Sequence, residues 1–384
     1  MDSNFTSATP RLTSSFQVIF MKTEINSEIV IIGSGPSGLR AAFTAINNNL
    51  TPIIFDWNSY LGGILRLLGK EIKEPTEARI FTNTTVININ YNHRGNHKLI
   101  AVRKGEIINV NTKQIIIATG SRDITAAGAK ISGSRPAGIF TATEALRLLA
   151  EGYLPGKKVV ILGGNEISIM LSKLLFSKGV QVTLVTPKTK IENITGVQLI
   201  QGYTITHVKG KERVEKVKLA LSDENFTPIK DDREYECDTL IVSIGFKPLN
   251  ILLNNIPITI DILTGGPVVN ERLEALPGIN VVGGSLAPFE ALKNVEQTGN
   301  IIFREITRES FINIKPGANV KFLVPQKIIG SEQATLFYST RPGFQKLKLV
   351  EYNIEIPINE TEGFVEINTT QFKKNATITI DAVK

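Results

Sequence analysis

Gly33-Ser34-Gly35-Pro36-Ser37-Gly38 is the part of this chain best suited to holding a phosphate. In such a spacing Gly33 permits a tight turn, and Gly35 removes the side chain that would block a pyrophosphate. Gly38 lets the following helix pack against the strand before it. A helix opening at Pro36 and Ser37 turns free backbone amides and a positive dipole end toward the phosphates. Asp56 follows about 20 residues after Gly33, where an acid accepts a hydrogen bond from a ribose hydroxyl.

The elements that must carry these residues can be read around them. Ile29 to Ile32 form an apolar strand run, and Leu39, Ala42 and Ile46 recur at helical spacing until Asn47-Asn48-Asn49 stops the helix. A second strand, Pro52 to Phe55, ends at Asp56. A lone glycine motif fits many α/β turns, whereas strand, loop, helix, strand and acid in that order point to a dinucleotide site.

The design recurs. Lys157 to Leu162 read as a strand, Gly163-Gly164-Asn165-Glu166-Ile167-Ser168 as the loop, then a helix through Phe176, a stop at Gly179 and a strand from Gln181 to Val185. Here Asn165 and Ser168 stand where glycine would allow close approach and tight packing, and Thr186 stands where an acid would read a ribose. Lys188 and Lys190 either contact a 2′-phosphate or are ordinary surface lysines. Glu166 either solvates the helix start or acts on a substrate, and nucleotide binding at this second loop stays open.

A length of 384 residues predicts two or three domains. The hydrophobic share of 42% and charged share of 21% are those of a globular chain, and the net charge of +7 is spread without a Lys/Arg block that would suit nucleic acid. No apolar stretch is long enough for a membrane helix. Residues 1–20 are polar and do not read as a secretion signal, so a cytoplasmic protein with a disordered tail over 1–26 is expected. Cys237 is the sole cysteine, which excludes an intramolecular disulfide, and its apolar run suits a packed small side chain. Among three histidines, His93 and His97 flank a hairpin turn at Arg94-Gly95-Asn96, and His207 sits alone in a polar strand. No metal site is expected, and no acid-base pair or nucleophile emerges, so the catalytic residues stay unassigned.

Further motifs carry a family resemblance. They are Gly62-Gly63, Ala118-Thr119-Gly120-Ser121-Arg122, Arg135-Pro136-Ala137-Gly138, Glu151-Gly152-Tyr153-Leu154-Pro155-Gly156-Lys157-Lys158, Thr264-Gly265-Gly266-Pro267-Val268-Val269, Pro277-Gly278-Ile279 and Val281-Val282-Gly283-Gly284-Ser285. With them the chain resembles the two-dinucleotide-binding-domain FAD/NAD(P)-dependent oxidoreductases, the pyridine nucleotide-disulfide oxidoreductase-like flavoproteins. Within that group it is similar to the α subunits of opine oxidase, dye-linked proline dehydrogenase and hydrogen cyanide synthase. The resemblance implies FAD, with its adenine half on the first glycine loop, Gly62 and Gly63 approaching it, and Ala118, Thr119 and Gly120 crossing beneath. It puts Gly284 and Ser285 near the ribityl and phosphate groups, Ser285 replacing the usual acid or amide. NAD(P) is left undecided. After Gly63 the chain runs through Ile64-Leu65-Arg66 to a strand region at Thr82–Ile89 in few residues, where relatives carry a longer segment that helps wall the flavin pocket.

The expected fold is α/β, with two nested Rossmann-like domains and a small C-terminal β domain. The FAD domain would comprise 27–125 and 251–316, the nested NAD(P)-binding-like domain 126–250, and the β domain 317–384. The resemblance implies a flavoprotein subunit of an oligomeric amine or amino-acid dehydrogenase, with partner subunits. A stand-alone NAD(P)H-dependent reductase and a non-catalytic assembly subunit are the alternatives.

Overall fold

Five strand ends brought to one edge organise the first part of the molecule. A computed structural model describes residues 21–187, 191–305 and 311–384. The chain enters through β1 (Met21–Ile32), turns into α1 (Pro36–Asn47), and returns in β2 (Ile53–Phe55). A single-turn α2 (Ile64–Leu67) follows, then β3 (Arg79–Phe81), β4 (Thr85–Asn90), β5 (His97–Arg103) and β6 (Glu106–Ile117). β1 pairs in parallel with β2 and β6, β2 with β3, and the late strand Ile279–Val281 with β6. The register sets Ile32 beside Phe55 and Ile117, Phe55 beside Phe81, and Ile117 beside Val281. In an open parallel sheet the crevice beyond these carboxyl ends is where ligands bind.

Between β6 and that late strand the chain builds a second parallel sheet, in the order Val197–Gln201, Gln181–Thr186, Lys158–Leu162, Thr239–Val242, Ile139–Thr141. Its helices are α3 (Ala142–Ala150) and α4 (Glu166–Ser177). α3 opens on a reciprocal cap, Thr141 with Glu144, which satisfies two donors at the helix start. Val159, Ile161, Leu171, Leu175 and Leu184 are buried together between sheet and helices. After the last strand of the first sheet comes α5 (Leu292–Gln297), packed against α1.

The C-terminal part has a five-stranded and a three-stranded sheet around a core that includes Leu336, Leu347 and Ile380. It does not stand apart from the first sheet. Phe322, Val324 and Phe337 belong to the first core, and Phe289 meets the Phe322 and Phe337 rings edge-on at 5.8 and 5.7 Å. Each buried ring contributes about 1.5–3 kcal/mol to holding the parts together. Two carboxylates, Glu271 fully buried and Glu362 half-buried, reinforce the joint. Glu271 accepts from the backbone amides of Ile329, Gly330 and Ser331, and Glu362 accepts from those of Glu290 and Ala291.

Three expected boundaries move. Residues 21–26, expected in a disordered tail over 1–26, extend β1 and pair with Glu106–Asn111 of β6; 1–20 lie outside the described residues. Only Ile25 of that stretch is fully buried, so one-sided burial hides the strand pattern, and its partner lies some 80 residues away. Ile312–Pro316, expected in the FAD domain, pairs with Thr377–Val383 and so joins the C-terminal sheet. The strand region expected at Thr82–Ile89 begins later, with β4 at Thr85; Thr82–Thr84 form the turn from β3, with Asn83 at φ +49°. Among the described residues no helix is long and apolar enough to cross a membrane.

Candidate functional site

The first glycine loop leaves β1 at the crevice edge, and its three glycines do different work. Gly33 has φ +102°, and a Cβ there would lie 2.3 Å from the Ala118 carbonyl oxygen; one on Gly38 would lie 2.0 Å from that of Gly33. These two are demanded by the packing of the loop on the end of β6. Gly35 has φ −67°, and a Cβ there would meet no atom of the described residues within 4 Å. Sterics within the chain therefore do not require glycine at 35, whereas a ligand approaching the backbone would. Gly35 is also the N-cap of α1, with no side chain capping the helix start, and Pro36 follows where a missing N–H is harmless.

Other segments close around this opening. The Gly62 amide donates to the Ser34 carbonyl at 2.9 Å, and a Cβ on Gly63 would lie 3.1 Å from the Gly35 Cα. Gly63 has φ +50° and ψ −122°, a conformation glycine tolerates, so the paired glycines lie directly against the first loop. Ala118, Thr119 and Gly120 follow β6: the Ala118 methyl faces Gly38, Thr119 Oγ1 donates to the Leu249 carbonyl at 3.1 Å, and the Leu249 amide donates to Gly120. Gly283 and Gly284 follow Ile279–Val281, Gly283 against the Ser37 side chain and Gly284 against Gly120 and Ser121. Every expected cofactor residue thus lies at one edge of the first sheet.

Two side chains are used differently from expectation. Asp56 is buried, and its Oδ2 accepts from the Ser34 amide at 2.8 Å and Ser34 Oγ at 2.5 Å. Its Oδ1 accepts from the Asn58 amide at 2.8 Å and Asn58 Nδ2 at 3.0 Å. With a carboxylate's acceptor positions so filled, Asp56 fixes the glycine loop, and a ribose hydroxyl would have to replace Asn58 Nδ2. Ser285 is fully buried, its hydroxyl 2.9 Å from the Val282 carbonyl and 3.3 Å from that of Ile117. Its single proton ties the crevice strands together.

Sequence reasoning missed the support behind α1. Thr298 Oγ1 accepts from the Gly283 amide at 2.8 Å, a Cβ on Gly299 would lie 2.5 Å from the Ser37 carbonyl, and Arg40 pairs with Glu296. Only the Thr298-Gly299 pair carries a local signal. A surface cavity of about 610 Å³, lined by Asn26, Asn92, Lys98 and Asn111, opens on β1, β5 and β6, and no glycine loop contributes to it.

At the second loop Asn165 caps α4, its Oδ1 2.9 Å from the Ser168 amide, while the Gly164 amide donates to Ser168 Oγ at 2.9 Å. Glu166 Oε2 accepts from the Leu292 amide of α5 at 2.8 Å, so it joins the two sheets. Thr186 is buried; Lys188 and Lys190 lie outside the described residues. Burial pushes the Cys237 thiol up to about 12, away from thiolate chemistry. His97 is buried and stacked on Tyr91 at 5.2 Å, and burial lowers its pKa.

The first loop fits FAD: an uncapped helix start, an open Gly35, and loops from four strand ends around it. The match to known proteins agrees. Residues 27–299 match the family model for pyridine nucleotide-disulphide oxidoreductases. An alignment of 310 positions, covering 67% of this chain and 64% of NADH oxidase from Streptococcus pyogenes, is 26% identical. An alignment of 265 positions, covering 59% of this chain and 27% of the sarcosine oxidase α subunit from a Corynebacterium species, is 20% identical. The chain thus covers less than two thirds of either relative. The fold is that of thioredoxin reductase from T. acidophilum, with a TM-score of 0.53 at 19% identity over 72% of this chain and 96% of that one. With two nested dinucleotide-type sheets and a glycine crevice on the first, the chain belongs to the pyridine nucleotide-disulphide oxidoreductase family, a family of FAD-binding oxidoreductases.

Proposed function

We propose that this chain is the FAD-bearing subunit of an oligomeric dehydrogenase acting on a small amine or amino acid. The observation that carries the binding claim is Gly35: its Cβ position is empty and it opens a helix with no side-chain cap. The amides of Ser37 and Gly38 would hold the diphosphate, with Gly33 and Pro36 shaping the turn. Gly62 and Gly63 would close over it, and Asp56 would keep Ser34 in place. Ala118, Thr119, Gly120, Gly284 and Ser285 would bound the rest of the cofactor. When bound, FAD supplies the electron acceptor of the reaction, so the protein need contribute only binding, orientation and local electrostatics.

The subunit reading is supported by the likeness to a sarcosine oxidase α subunit and by the short passage from Gly63 to β3. With Cys237 alone, no cysteine pair within the chain can relay electrons. The likeness to an NADH oxidase favours a second reading, a stand-alone NAD(P)H-dependent reductase. A cytoplasmic location goes with either.

The test is purification of the full chain, alone and from native cells, with flavin analysis of both. A yellow protein that copurifies with a second polypeptide and is bleached by an amine or amino acid supports the subunit. Bleaching of the isolated chain by NADH or NADPH supports the reductase. A colourless chain whose melting is unmoved by excess FAD rejects both.

A further inference from the structure

We infer that the second glycine loop, Gly163–Ser168, takes no dinucleotide, because its own side chains occupy the Ser168 and Gly164 amides, donors a diphosphate would use. The two loops can be compared position by position, since Gly35 and Asn165 are both N-caps, of α1 and α4. At the first, the N-cap has no side chain and nothing approaches its Cβ position. At the second, Asn165 Oδ1 accepts from the Ser168 amide at 2.9 Å, the third helical position, which is Gly38 in α1. That amide is one of the orphan donors that phosphates use at helix starts.

Ser168 and Asn165 make further bonds across the loop. Ser168 Oγ accepts from the Gly164 amide at 2.9 Å and donates to the Asn165 carbonyl at 2.8 Å. Asn165 Nδ2 donates to the Ser243 carbonyl at 3.0 Å, and Ser243 Oγ reaches Asn165 Oδ1 at 3.2 Å, which ties the loop to the end of Thr239–Val242. Asn165 is 5% exposed and Ser168 0%. A diphosphate would have to expel a buried amide that both donates and accepts, and leave the Ser243 carbonyl without its partner.

Charge opposes it as well. Glu166 stands at the first helical position, where Pro36 stands in α1, and puts a carboxylate at the end of the helix that would otherwise attract phosphate. Its bond to the Leu292 amide gives the second unit another task, holding α5, whose approach is also held by Glu362 at Glu290 and Ala291. The second sheet is thus a support for the crevice, and electrons exchanged at the first site do not pass through a nicotinamide seated on this loop.

The test uses the full chain after its flavin content has been measured, so that failure of FAD binding is read separately, as colourless protein. NADH, NADPH and NAD⁺ are titrated by calorimetry into the flavin-loaded wild type and into Asn165→Asp, which keeps the helix cap and adds negative charge. No saturable binding up to about 1 mM by the wild type is the expected result. Saturation below about 1 mM that Asn165→Asp weakens by about tenfold or more overturns the inference. Saturation that Asn165→Asp leaves unchanged places the nucleotide elsewhere and upholds the refusal of this loop. If the chain holds no flavin, the same titrations are run on Gly35→Leu protein, so that the first loop does not supply the binding.

Discussion

The Glu362 carboxylate accepts a hydrogen bond from Asn294 Nδ2 at 2.9 Å, while Asn294 Oδ1 is buried with no partner among the described residues. Burial pushes the Glu362 pKa up, the bonds from Asn294, Glu290 and Ala291 oppose this, and the charge of Glu290 adds to it. A carboxyl whose pKa rises on folding holds its proton longer in the folded than in the unfolded chain. Stability therefore falls as pH rises from the ordinary carboxylate range through the raised value. Glu362→Gln cannot titrate and can offer a donor to Asn294 Oδ1. Its melting temperature should gain on the wild type as pH rises from about 4 to about 7. Glu362→Ala should lose about 2–3 kcal/mol at neutral pH, read from urea unfolding.

Gly35 and Gly33 should part company on substitution. Gly35→Leu places its side chain in open space at an ordinary φ, so flavin-free stability should change by less than about 1 kcal/mol while FAD affinity falls by about tenfold or more. Gly33→Ala meets the Ala118 carbonyl at 2.3 Å with φ +102°, and should lose about 3 kcal/mol or more. Paired urea melts and flavin titrations separate the two effects.

Asp56 should act on FAD through the loop it holds. Asp56→Asn turns an amide N–H toward donors on either Ser34 or Asn58, which should cost about 1–3 kcal/mol of stability and weaken FAD binding with it. Unchanged melting in that variant would show that Asp56 does not pin the loop.

Cys237 should be silent in the folded protein. With its thiol at about 12 and the side chain 4% exposed, a disulfide reagent at about pH 8 should modify it only after denaturant is added. Counting thiols with and without guanidinium checks this.

The strands and helices around the first loop could be read locally because each carries its own signal: Ile29–Ile32 before Gly33, Leu39 and Ala42 at helical spacing, Pro52–Phe55 before Asp56. The C-terminal strands alternate and were readable as β. Where they dock was not, since Phe322 and Phe337 look like any strand residues until Phe289 meets them. The same holds for Met21–Asn26, whose partners in β6 lie far along the chain.

By itself the sequence determined that two glycine loops open two helices after two parallel strands, and that Asn165 and Ser168 replace glycines in the second. Steric demands on backbone and the periodicity of burial act between near neighbours, so they leave a local mark. Only the tertiary structure decided that Asp56 spends its oxygens on Ser34 and Asn58, that Asn165 fills its own loop, and that Glu166, Glu271 and Glu362 bind the parts together. A carboxylate's partner is set by which amides the fold leaves unsatisfied nearby, and those lie up to 126 residues away along the chain.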